Sequence, residues 1–117
     1  MRRKIPVIAA LIAALGPWLG PAAAETLMQR AELWGELHGA AIYCRQRDSE
    51  AFGAAAMTYL QRYAGGTAAF NRLRDAYGVK AVLTALKPPS RAAGGSCSGF
   101  SRKYQEVWKI LRGRTEG

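Results

Sequence analysis

The chain is predicted to be all-α, a small bundle of four to five helices closed by one disulfide between Cys44 and Cys97. Three observations predict this. Beyond residue 24, apolar residues recur at spacings of three and four, and no alternating β-pattern of useful length occurs. Start and stop signals divide that stretch at regular intervals: Thr26, Asp48-Ser49 and Thr67 open helices, and Gly65-Gly66 and Pro88-Pro89 close them. Only two cysteines are present, behind a segment with the features of an export signal.

That segment comes first. Arg2, Arg3 and Lys4 form a positive n-region, and an uncharged apolar stretch runs from Val7 to Leu19. Gly20 and Pro21 then precede Ala22-Ala23-Ala24, small residues of the kind a signal peptidase reads. Residues 1–24 are therefore expected to be a cleavable Sec signal peptide, with cleavage between Ala24 and Glu25. The run is broken at Gly16-Pro17 and is shorter than the about 20 residues a transmembrane anchor needs. No cysteine follows the cleavage site as a lipoprotein requires, and Arg2-Arg3 lacks the rest of a twin-arginine motif. The expected location is the periplasm, with secretion as an alternative.

Residues 25–117 make one helical domain with a modest core. The first helix is expected from Thr26 to Arg47, with Leu27, Ala31, Trp34, Leu37, Ala41 and Cys44 on one face. Ala31, Gly35 and Gly39 form a row of small residues at spacing four. Glycine costs about 1 kcal/mol in a helix, so that row predicts close approach of a second helix. Asp48 and Ser49 offer the next cap, and a helix from Glu50 to Ala64 presents Phe52, Ala55, Ala56, Tyr59 and Tyr63. Thr67 is expected to cap a third helix carrying Phe70, Leu73 and Tyr77, interrupted at Gly78. A shorter helix from Val79 to Lys87 would bury Val82, Leu83 and Leu86. Residues 88–96 read as a mobile loop. Cys97 opens a last helix to Arg112 with Phe100, Tyr104, Val107 and Leu111 on its apolar face and Trp108 beside it.

In an oxidising compartment a bridge between Cys44 and Cys97 would pin the first helix to the last. A loop of 53 residues gives about 4 kcal/mol of stabilisation on the chain-entropy model.

The whole chain carries 17 Lys+Arg and 8 Asp+Glu, a net charge of +9. Without Arg2, Arg3 and Lys4 the net charge is +6. Residues 25–79 balance at six basic and six acidic, while residues 80–117 hold eight basic and two acidic, so the excess lies in the last third. Outside the cytoplasm that excess would meet anionic lipid, cell-wall polymer or an acidic protein. Nucleic acid is not an expected partner there, and no cofactor motif is present.

Three groups of residues are candidates for chemistry. His38, the sole histidine, is a possible general base, though no nucleophile accompanies it. Glu32 and Glu36 stand one turn apart and can share a proton or hold a hard cation. Their mutual repulsion calls for a basic neighbour, and the pair is expected to be solvated or to face the basic last helix. Zinc is not expected, because one histidine and two glutamates on one helix lack its usual spacing. Arg102, Lys109 and Arg112, with Gln105, line one polar face of the last helix and suit an anion or a membrane surface.

The run Ala31-Glu32-Leu33-Trp34-Gly35-Glu36-Leu37-His38, followed by Cys44, resembles the first helix of an uncharacterised family of short exported two-cysteine proteins of Gram-negative bacteria. Phe70-Asn71-Arg72, and Cys97 leading into a helix rich in tyrosine and charge, resemble its other motifs. The chain departs from that pattern at Arg47-Asp48, where the family has Trp-Arg, and at Leu73-Arg74, where it has Gly-Tyr. The resemblance implies export, one disulfide and a helical fold, and no activity.

The expected function is that of a non-enzymatic periplasmic protein binding a partner protein or an anionic envelope component. A small chaperone or enzyme inhibitor is the alternative, and a hydrolase using His38 with Glu32 or Glu36 the remote one.

Overall fold

The computed structural model describes residues 26–116, which form four α-helices with no strand among them. These are α1 (Leu27–Tyr43), α2 (Ser49–Ala64), α3 (Thr67–Thr84) and α4 (Cys97–Glu116). The expected signal peptide lies outside the described residues. Among those residues, no helix is long and apolar enough to cross a membrane.

Local chemistry explains most of the boundaries. At the start of α1, Thr26 Oγ1 accepts from the Gln29 amide at 3.0 Å, and Gln29 Oε1 accepts from the Thr26 amide at 2.9 Å, a reciprocal capping box. At its end the Gln46 amide donates to Ala41 O and the Arg45 amide to Ile42 O, the two bonds of a Schellman motif. Arg45 takes the left-handed position of that motif, at φ 60°. The helix therefore stops at Tyr43, short of the expected Arg47. Helix α2 ends at Gly65, as expected, in left-handed backbone.

Helix α3 corrects two expectations. Gly66 occupies the cap position, so Thr67 is the first helical residue and not the cap. The helix also passes through Gly78 without a break and merges the expected third and fourth helices. Contacts with α1 on both sides of Gly78 outweigh the roughly 1 kcal/mol a mid-helix glycine costs.

The expected close approach falls on α1 and α3. A Cβ at Gly35 would overlap the Tyr77 carbonyl oxygen, and one at Gly39 would stand 2.6 Å from Ala81 O. Because Gly35 meets Tyr77 and Lys80 while Gly39 meets Ala81 and Thr84, the two helices run parallel. Helix α2 runs back against them, with Tyr59 against Trp34 at the middle of α1 and Phe52 against His38 one turn further along.

Helices α1 and α2 each pack on both α3 and α4, whereas the backbones of α3 and α4 stay more than 8 Å apart. In cross-section the bundle is a rhombus, with α1 and α2 across the short diagonal. Trp34, Leu37, Phe52, Leu60, Phe100, Tyr104 and Leu111 are its largest fully buried side chains. The expected apolar face of α4 is buried throughout, and Tyr104 stacks on Phe52 at 4.6 Å between centroids. The Cys44–Cys97 disulfide, with Cα atoms 5.7 Å apart, ties the end of α1 to the start of α4.

The rhombus explains a third correction. Val82, Leu83 and Leu86 were expected in the core, and they are 71, 59 and 89 % exposed, with Val79 beside them at 57 %. Their side of α3 is opposite Leu73, Tyr77 and Thr84, which face α1 and α2, and α4 lies at the far corner. Tyr63, expected on the inner face of α2, is also exposed. The 88–96 loop, read as mobile, is folded through turns: Ser90 O accepts from the Ala93 and Gly95 amides, and Ala93 is buried.

Candidate anion-binding site

His38 and the two glutamates do not come together. Residues 36 and 38 are about 200° apart around a helix, so Glu36 and His38 look out of opposite sides of α1. Each is engaged elsewhere. His38 Nδ1 forms a 2.7 Å hydrogen bond with the Tyr77 hydroxyl, and its ring packs edge-on against Tyr77 and near Phe52. Gly53 makes room for it, since a Cβ there would stand 2.7 Å from His38 Cε1. Burial lowers the His38 pKa below the ordinary histidine value, with Glu50 pulling weakly the other way. Burial likewise raises the Tyr77 hydroxyl well above the usual phenol range, so it stays protonated.

Glu36 has the basic neighbour its repulsion with Glu32 called for, from another helix than expected. Lys80 of α3 approaches to 3.6 Å, and the Ser90 hydroxyl donates to Glu36 Oε1 at 2.9 Å. Glu36 is thus a tether for the 88–96 loop. Glu32 is exposed on the surface. Among the described residues, no three His, Cys, Asp or Glu side chains gather as a metal site would require.

The basic face of α4 divides into two parts. Arg102, Lys109 and Arg112 are all exposed, but Lys109 and Arg112 lie about 10 and 15 Å further along the helix than Arg102. The Arg112 guanidinium lies over the Trp108 ring at 4.6 Å, a cation–π contact. Arg102 instead joins two cations that helical spacing did not assign to its face. Arg91 from the loop and Lys103 from α4 share with it a depression of 470 Å³, lined also by Gly94, Gly99 and Glu106. Three cations and one carboxylate around one hollow give it positive potential. Gly94 and Gly95, both at positive φ, turn the loop back on itself there.

Asp48 stands at the N-cap position of α2, as expected, but its side chain is used elsewhere. It makes no side-chain cap on α2. Its carboxylate instead accepts from the Tyr104 hydroxyl at 2.7 Å and from Trp108 Nε1 at 3.2 Å. One acid at the α1–α2 corner thereby satisfies two aromatic donors of α4. Burial and this bond raise the Tyr104 hydroxyl pKa well above the usual range.

No family model, curated protein or solved structure matches this chain, so the functional argument rests on its own residues.

Proposed function

We propose that this is an exported, non-enzymatic periplasmic protein that binds an anionic component of the cell envelope through the hollow between the 88–96 loop and α4. The carrying observation is the gathering of Arg91, Arg102 and Lys103 from two separate segments around one depression. Supporting it are the export signal read in residues 1–24 and the charge excess of residues 80–117. The disulfide, one residue after the loop, holds the start of α4 in place against α1 and so fixes the cations of α4 relative to the bundle.

Guanidinium groups offer paired donors to phosphate and carboxylate, which suits both phospholipid head groups and cell-wall polymers. Binding of the mature chain to anionic vesicles or cell-wall fragments tests the proposal. It is expected to weaken with added salt and to be lost in R91A/R102A/K103A. Binding that this triple variant leaves unchanged would remove the hollow from the account.

A further inference from the structure

Among the described residues, the most exposed large apolar side chains gather at the C-terminal part of α3 and just beyond it. Val79, Val82 and Leu83 lie along the outer side of α3, Leu86 follows in the turn after it, and exposure reaches 89 % at Leu86. Such a strip is uncommon on a small protein unless something covers it. Val79, Val82 and Leu83, with Gly78 and the Arg74–Asp75 pair, line a shallow apolar groove of 690 Å³. The charges around it are of nearly one sign. Arg74 and Asp75 at the groove stand 3.7 Å apart, exposed Arg72 lies two turns before Val79 on the same helix, and exposed Lys87 directly follows Leu86.

We propose that this strip lies in the surface of an anionic phospholipid bilayer, with its bordering cations among the head groups. The proposal rests on the preceding reading and names the anionic component as the lipid surface itself. Charge complementarity selects this occupant. A second copy of the chain would set the same positive border against itself, whereas an anionic bilayer neutralises it. The strip is also of the right kind. Its helical part, from Val79 to Leu83, is about 6 Å long, too short to span a bilayer and suited to lying in its interface. Lys87 follows Leu86 directly, so its alkyl stem can lie along the apolar layer while the ammonium stays in water.

The strip and the cationic hollow are joined by a short length of chain. Helices α1 and α3 run parallel and finish at the same end of the bundle, where the disulfide also anchors the start of α4. Five positions separate Leu86 from Arg91, which lines the hollow.

Flotation with phosphatidylglycerol vesicles tests the inference, with phosphatidylcholine vesicles and anionic cell-wall fragments as comparisons. V82Q/L86Q changes two exposed side chains and no charge, and circular dichroism checks that its fold is kept. The wild-type chain is expected to float with phosphatidylglycerol vesicles. V82Q/L86Q should lose at least about tenfold in vesicle binding and bind cell-wall fragments as before, while V82I/L86M floats like the wild type. Equal flotation of V82Q/L86Q and wild type would overturn the inference and leave the cationic hollow standing. A wild-type dimer that V82Q/L86Q converts to monomer, with no vesicle binding by either, would overturn it in favour of self-association. A wild-type chain that binds neither vesicles nor fragments would overturn both readings.

Discussion

His38 and Asp48 illustrate what a single residue's sequence context reveals and what it hides. A lone histidine at the edge of an apolar face suggests a base or a packed ring, and only the partner decides between them. That partner, Tyr77, is 39 positions away. Its effect is testable through pH. With the His38 pKa lowered in the folded state, the unfolded chain binds more protons as pH falls below the ordinary value of 6.5. The stability that neutral His38 contributes is therefore complete above that value and declines below it. Urea midpoints measured at about pH 7.5 and 5.5 should fall with acidification in the wild type and fall less in His38→Gln. Asp48 carries the ordinary signature of a helix cap, and its real partners, Tyr104 and Trp108, lie 56 and 60 positions on. Asp48→Ala leaves the buried Tyr104 hydroxyl without its acceptor and should cost about 3 kcal/mol in urea denaturation.

Among the elements, α1 and α4 were legible and α3 was only half so. The faces of α1 and α4 follow helical spacing, and their large apolar residues are buried. The outer side of α3 has the same spacing, because periodicity reports that a face is apolar without reporting what covers it. Gly78 was read as a break for a related reason: propensity is local, and the contacts that overrule it come from α1. Two substitutions separate these effects. Gly39→Ala places a Cβ 2.6 Å from Ala81 O, so it should destabilise by about 2 kcal/mol despite its better propensity. At Gly78 a Cβ meets nothing within 4 Å, and Gly78→Ala should stabilise by about 1 kcal/mol. Thermal melts of both variants, moving in opposite directions, would bear this out.

For the whole molecule, the disulfide and the charge distribution were both readable, the first from cysteine count and expected compartment, the second from simple counting. Replacing Cys44 and Cys97 with serine should remove about 4 kcal/mol, comparable with the entire stability of a domain this size. The site itself was readable only in part. Arg102 was identified from its helix face, but Arg91 joins it because turns at Gly94 and Gly95 fold the loop back, and no periodic pattern encodes that. Whether these cations act together is the central claim, and an affinity measurement addresses it most directly. Near an anionic surface each cation contributes about 1 kcal/mol, so R91A/R102A/K103A should bind phosphatidylglycerol vesicles roughly 100-fold more weakly than the wild type at physiological salt. Equal affinity of the two proteins would contradict the account.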